Sequence, residues 1–215
     1  MLKSYRTLLA PGEDTLIIKK SRFIGYATPV SSEEEALQFI AGLQKKHWDA
    51  THNCYAYVCG PHDEIQKAND DGEPSGTAGK PILEVIKKEE LHNVAVVVTR
   101  YFGGIMLGAG GLIRAYSAGC GAGLQAAQIV TRILFQEIAI EIDYTWYGKI
   151  ENELHAGGWH IDRVEYLDRV TVYALCPVDD TEALHQKLIN ATNGQALLTN
   201  TDQRYLFERD GKLVQ

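Results

Sequence analysis

Chemistry needs particular side chains at particular spacings, and a few stretches of this sequence supply them. The first is Asp70-Asp71-Gly72-Glu73-Pro74-Ser75-Gly76-Thr77-Ala78-Gly79-Lys80-Pro81. Its glycines permit tight turns and Lys80 offers a positive charge to an anion. A nucleotide-binding P-loop ending in Gly79-Lys80 needs glycine at position 74 and Ser or Thr at position 81. Both positions are proline, so that motif is excluded. Asp70, Asp71 and Glu73 are carboxylates of the kind that hold Mg²⁺ together with phosphate oxygens. Acidic side chains in a polar loop are more often simply solvated, and no metal site is expected here.

The second stretch is Arg100-Tyr101-Phe102-Gly103-Gly104. A guanidinium recognises phosphate in a plane and aromatic rings stack on bases. The alternative is that Arg100 pairs with a loop carboxylate such as Asp70 or Asp71 while the rings fill a core edge. On a continuing strand, Arg100 and Tyr101 point to opposite faces. The third stretch, Gly108-Ala109-Gly110-Gly111, opens a helix whose free N–H groups suit an anion. His52 and Cys54 stand two apart, on one face of a strand, but no third orienting group accompanies them. With Cys59, Cys120 and Cys176, Cys54 reads as a buried free thiol. No histidines have metal-ligand spacing. No catalytic residue and no cofactor is therefore expected.

The elements that position these residues are partly visible. Leu16–Ile18 and Phe23–Val30 read as strands, joined through the basic knot Lys19-Lys20-Ser21-Arg22. Ser32 and Glu35 fit a capping box, followed by apolar residues at helical spacing. His52–Cys59 reads as a strand and residues 60–79 as one long loop. A helix starts near Pro81. Val94–Val98 is a continuous β-branched run, the mark of a buried central strand. From Gly111 the chain turns helical, with so many Ala and Gly that the helix must pack very close to a sheet.

The second half follows strand, helix, strand, strand, helix, strand. The segments fall near 137–143, 146–155, 161–166, 170–175, from Asp179 with Glu182 as capping partner, and 196–199. That is a ferredoxin-like βαββαβ order. The boundary places domains at 1–134 and 135–215, in an α+β protein.

Charge separates the halves. Residues 1–135 hold 14 Lys+Arg and 14 Asp+Glu, whereas residues 136–215 hold 7 and 14, and so carry the whole net charge of −7. Nucleic acid, if bound, belongs on the first half. The second half lacks an RNP1 aromatic pattern and has only Tyr173 on Arg169–Cys176 to offer a base. No apolar run is long enough to span a bilayer and no secretory signal is visible, so a soluble cytoplasmic protein with no membrane partner is expected.

The segment GKPILEVIKKEELHNVAVVVTRYFGGIMLG, residues 79–108, resembles the signature of the Impact/YigZ family, and the loop upstream of it does too. The motif loop comprises Asp70, Asp71, Gly72, Glu73, Pro74, Gly76, Thr77 and Gly79, then Phe102, Gly103, Gly104 and Gly108. The resemblance covers the whole chain, since bacterial members join the Impact domain to a ferredoxin-like second domain. It implies a first domain with the β/α sandwich fold of a ribosomal-protein domain 2. It also implies a second domain similar to the last domain of a translocation elongation factor. Eukaryotic relatives regulate translation and carry an additional N-terminal domain. This sequence is expected to lack that domain, because Met1 leads almost directly into the first strands.

The leading expectation is a non-catalytic regulator that binds RNA, the ribosome or a translation-related protein. Its surface would comprise Lys19, Lys20, Arg22, Lys80, Arg100, Tyr101 and Arg114. The alternatives are a nucleotide- or phosphate-binding enzyme using loops 70–80 and 103–111 with a small-molecule ligand, and a protein-interaction module docking through the acidic half.

Overall fold

Val94, Val96 and Val98 are buried on one side of their strand while Ala95 and Val97 are buried on the other. A strand with water on neither side must be apolar at every position, which explains the uninterrupted run. The computed structural model describes residues 2–60 and 62–214. Two compact units emerge: Tyr5–Thr131, and Arg132 onward joined by Leu2–Ser4.

The first unit contains, in chain order, β1 (Ser4–Leu8), β2 (Gly12–Ile18), β3 (Ser21–Pro29), α1 (Glu33–Lys46), β4 (His52–Cys59), β5 (Ile65–Asn69), α2 (Gly79–Lys88), β6 (Val94–Tyr101) and α3 (Ala109–Ala126). Strands β2–β6 form a five-stranded antiparallel sheet in the order β2-β3-β6-β4-β5. One face packs on α1 through Ile24, Tyr26, Tyr57 and Val97 against Ala36, Ile40 and Leu43. The other packs on α2 and α3 through Phe23, Ala56, Val96 and Val98 against Ile82, Ile86, Tyr116 and Leu124. Helix α3 approaches β3 closely, as its small residues require. A Cβ on Gly25 would lie 1.9 Å from the Gly119 carbonyl oxygen, and one on Gly123 would lie 2.9 Å from the Gly25 carbonyl carbon.

Local signals account for several boundaries. The Ser32 hydroxyl accepts the Glu35 N–H at 3.2 Å, and the Glu35 carboxylate accepts the Ser31 N–H at 2.6 Å. The expected box thus reaches one residue further back. Lys19 and Lys20 form a two-residue turn between the paired ends Ile18 and Ser21, with φ of 45° and 65°. Two positive φ angles in a two-residue hairpin define a type I′ turn. Residues 60–79 are not one loop: β5 pairs with β4 as an edge strand, and its exposed Gln66 and Lys67 gave no apolar signal. Helix α2 begins two residues before Pro81, which still falls in the first turn, where no N–H is needed.

The second unit continues β7 (Ile129–Ile142), followed by α4 (Tyr147–Ala156), β8 (His160–Tyr166), β9 (Val170–Pro177), α5 (Thr181–Ala191), β10 (Leu197–Arg209) and β11 (Lys212–Val214). The order β10-β7-β9-β8 is that of the ferredoxin-like fold, with β11 added beyond β10. Its core joins Ile138, Ile140, Val172 and Ala174 to Ile150, Leu154, Leu184 and Leu188. The last strand is far longer than expected from residues 196–199, because pairing supports a polar segment there. Helix α5 has no side-chain cap at its start, so the anticipated role of Glu182 is not realised. Tyr173 is not free to stack on a base, since the Arg163 guanidinium sits 3.5 Å from its ring centre.

Candidate functional site

The antiparallel register brings the motif residues to one end of the five-stranded sheet. The β2–β3 turn, the start of β4, the end of β5 and the end of β6 all lie there. Loops 70–78 and 102–108 follow β5 and β6 directly, and each feeds a helix that runs back along the sheet.

Loop 70–78 is held by its own first carboxylate. Asp70 Oδ1 accepts the N–H groups of Ala78 and Gly79 at 3.0 and 2.8 Å, and Oδ2 accepts that of Gly76 at 2.8 Å. It thereby caps α2, whose N-cap Ala78 has no side chain to do so. Burial opposes ionisation of Asp70, but these amides outweigh it and hold its carboxyl below the usual range. The amides that an anion would need at Gly76–Gly79 are thus occupied, which removes this loop from the expected phosphate site. Asp71 accepts the Asn53 N–H at 2.6 Å, and its carbonyl accepts His52 Nδ1–H at 2.6 Å. Thr77 donates to the Pro74 carbonyl at 2.6 Å, and Gly72 and Gly76 adopt positive φ.

Asp70 supports a direct prediction. Asp70→Asn replaces one acceptor by a donor facing the Gly76 N–H, and should cost about 2 kcal/mol in urea unfolding. Because the folded carboxyl titrates low, its contribution is complete above an unfolded value of about 3.9 and is lost as pH falls through the lower folded value. The wild-type protein should therefore lose more stability in that acid window than the variant. Equal acid profiles would show that Asp70 does not cap α2.

Arg100 is 6% exposed and donates through Nη1 to Glu73 Oε1 at 2.6 Å. Tyr116 of α3 donates to the same oxygen at 2.7 Å. His52, the cross-strand partner of Arg100, places Nε2 3.9 Å from it. Arg100 is thus a buried ion-pair member, and its place on an open surface is corrected: the partner is a loop carboxylate, Glu73. All three loop carboxylates engage protein donors, and among the described residues no cluster of His, Cys, Asp or Glu is arranged to hold a metal.

Tyr101 points to the opposite face. Its hydroxyl donates to Asp49 at 3.1 Å and accepts from His47 Nδ1 at 2.9 Å, which leaves His47 Nε2 to accept the Tyr26 hydroxyl at 2.8 Å. Burial, with Lys46 and Arg22 nearby, lowers the His47 pKa. The Arg22 guanidinium lies 4.3 Å from the centre of the Tyr101 ring, so one face of that ring is already covered. The seven expected binding residues consequently do not form one surface. Lys19, Lys20 and Arg22 are exposed around the hairpin tip, and Gly103 packs directly on Lys20. Phe102, just past the end of β6, is 49% exposed, with the Arg100 guanidinium 5.4 Å from its ring centre. Lys80 and Arg114 are exposed on α2 and α3, where Lys80 lines a separate groove with Ile113.

Cys54 is buried and donates to the Asp70 carbonyl at 3.0 Å, and burial pushes its thiol far above the range of a nucleophile. Cys59 is pushed up to about 11 by the same cause. All four cysteines are free and buried.

Between the two loops lies a cleft of about 580 Å³, lined by Thr51, His52, Glu73, Arg100, Phe102 and Met106 with the first turn of α3. The sequence had not suggested Tyr116 or Thr51. Tyr116 meets Glu73 across 43 positions of chain, and Thr51 accepts the Phe102 N–H across 51, separations at which no local pattern operates.

These features define a two-domain α+β protein whose motif loops converge on one end of an antiparallel sheet. Residues 19–124 match the model of the Impact N-terminal domain, and residues 140–195 match that of a domain of unknown function (DUF1949). The chain is 48% identical to IMPACT family member YvyE of Bacillus subtilis, over 96% of this chain and 95% of that protein. Identity to IMPACT family member YigZ of Escherichia coli is 33%, over 84% and 90%. Protein IMPACT of Mus musculus is 38% identical over 42% of this chain but 29% of its own length. A solved structure described as a hypothetical protein matches with a TM-score of 0.59 at 31% identity, covering 94% of this chain and 99% of that one. The chain belongs to the IMPACT family. Among the described residues, no helix is long and apolar enough to cross a membrane.

Proposed function

We propose that this chain is a non-catalytic binding protein that engages RNA, free or within the ribosome, through the loop end of its first unit. The observation that carries this reading is the exposed cationic hairpin tip formed by Lys19, Lys20 and Arg22, with the half-exposed Phe102 just past the end of β6 at the same end of the sheet. Cations at a hairpin tip contact backbone phosphates, and a half-exposed aromatic ring offers a stacking face to an unpaired base. Lys and Arg balance Asp and Glu over residues 1–135, so attraction must come from this local cluster rather than from net charge. The family resemblance adds the translational context, since eukaryotic relatives act on translation.

The test is binding to single-stranded RNA and co-sedimentation with ribosomes, each across a salt series. Lys19→Gln, Lys20→Gln and Arg22→Gln together should weaken binding by about tenfold or more and reduce the salt slope by about 2. Glutamine removes the charge while keeping an unbranched polar side chain. Unchanged affinity and slope would remove the tip from consideration.

A further inference from the structure

Helices α2 and α3 pack side by side on one face of the first sheet. On α2, Ile82 and Ile86 enter the core, while Pro81 and Val85, one turn apart, line the seam between the helices. On α3, Leu112, Ala115 and Tyr116 are buried, whereas Ile113 turns outward and is 41% exposed. The apolar stripe of the helix pair is therefore wider than the core uses. What remains is a shallow groove of about 510 Å³, lined by Lys80, Pro81, Glu84, Val85, Lys88 and Ile113.

The rim of this groove is charged in a fixed order. Lys80, Glu84 and Lys88 stand one turn apart on α2, so positive, negative and positive side chains follow one another along it. The two lysines are about 12 Å apart along the helix axis, at about 1.5 Å per residue. Arg114 is exposed next to Ile113 on α3. Among the described residues, none of Lys80, Lys88 and Arg114 has an ion-pair partner, and Glu84 bridges to neither lysine. A polynucleotide would match the cations but not the floor, because Pro81, Val85 and Ile113 offer aliphatic surface and no ring on which a base could stack. An aliphatic floor with a free cation near each end is complementary instead to an amphipathic helix that carries carboxylates.

We propose that the α2–α3 groove docks an acidic amphipathic helix of a protein partner. Leucine- or isoleucine-type anchors of that helix enter the seam against Val85 and Ile113, which removes their apolar surface from water. Its carboxylates stand opposite Lys80 and Lys88, two helical turns apart to match them. Glu84 repels a third carboxylate midway and so selects a neutral or basic residue there. The charge row reads the same in both directions, so the pattern holds whichever way the partner helix runs. The surface uses none of Lys19, Lys20 and Arg22, and its occupant is a protein, so it does not depend on the RNA reading.

The test is selection of displayed helical peptides on the purified full chain. The library fixes leucine anchors at i, i+4 and i+7 and varies three flanking positions, one turn apart, among Glu, Gln and Lys. Glutamate should be enriched at the two outer positions and depleted at the middle one. The enriched peptide, followed by fluorescence anisotropy, should bind Ile113→Glu at least about tenfold more weakly. That side chain is exposed, so the variant keeps its fold, which a thermal melt checks. Lys80→Glu with Lys88→Glu should weaken the same peptide by a similar factor and should turn the selection toward lysine at the outer positions. A merely structural role for the two lysines would not invert that preference. The Lys19, Lys20 and Arg22 variant should bind the peptide as the parent does, so the RNA reading and the groove stand or fall separately. An empty selection, lysine or no charge preference at the outer positions, or equal binding by Ile113→Glu overturns the proposal. Single-stranded RNA binding that Lys80→Glu with Lys88→Glu abolishes, without peptide selection, would overturn it in favour of nucleic acid. A dimer in sedimentation that Ile113→Glu dissolves would overturn it in favour of a second copy of this chain.

Discussion

Arg100→Ala should destabilise the first unit by about 3–5 kcal/mol in urea unfolding, one of the two largest effects expected in this chain. The cause is the Glu73 carboxylate, whose side chain is 3% exposed. Without Arg100 it would keep the Tyr116 hydroxyl at 2.7 Å and His52 Nε2 at 3.9 Å, which is too little to support a buried charge. Replacing both partners, Arg100→Met with Glu73→Leu, should cost less than the sum of the single losses, because no charge is left stranded. A single-variant loss under about 1 kcal/mol would mean that water reaches Glu73 and the pair is not buried. For binding work, a loss of affinity in Arg100→Ala would report unfolding before it reported any contact.

The second large effect is steric. Gly25→Ala places a methyl group 1.9 Å from the Gly119 carbonyl oxygen, a backbone atom that cannot turn aside. Helix α3 would have to lift from β3, opening the layer that buries Phe23, Tyr116 and Leu124. A loss of about 4 kcal/mol or failure to fold is expected. Gly121 lies in the same helix, and a methyl group there would meet nothing within 4 Å. Gly121→Ala should therefore stabilise the protein by about 1 kcal/mol through helix propensity alone. Opposite signs at these two glycines would establish the close approach, and a mild Gly25→Ala would refute it. Thermal melts of the two variants beside the parent suffice.

Where packing follows local pattern, the sequence was readable. The Val94–Val98 run, the Ser32 cap, the small-residue helix and the strand–helix order of the second half all follow from chemistry within a few residues. What escaped depends on partners far along the chain. Strand β5 has four exposed residues among five and exists because β4 offers it an edge. The pairing of Arg100 was visible as a choice among loop carboxylates. Which one it takes depends on the turn: Asp70 faces the α2 amides and Asp71 faces Asn53, so Glu73 remains to turn inward. The strand alternation that separates Arg100 from Tyr101 divides the expected binding residues between two faces.

The turn at Lys19 and Lys20 asks for residues at ease with positive φ, for which asparagine followed by glycine is the usual solution. Two lysines in that conformation carry a standing strain of roughly 1 kcal/mol each. The hairpin would be firmer with the ordinary pair, yet it would then present no charge at its apex. The tip is therefore a point where fold and surface make opposed demands on the same two residues. A variant library selected only for heat resistance would be drawn to erase the lysines first, and so would yield a sturdier protein with a blank apex.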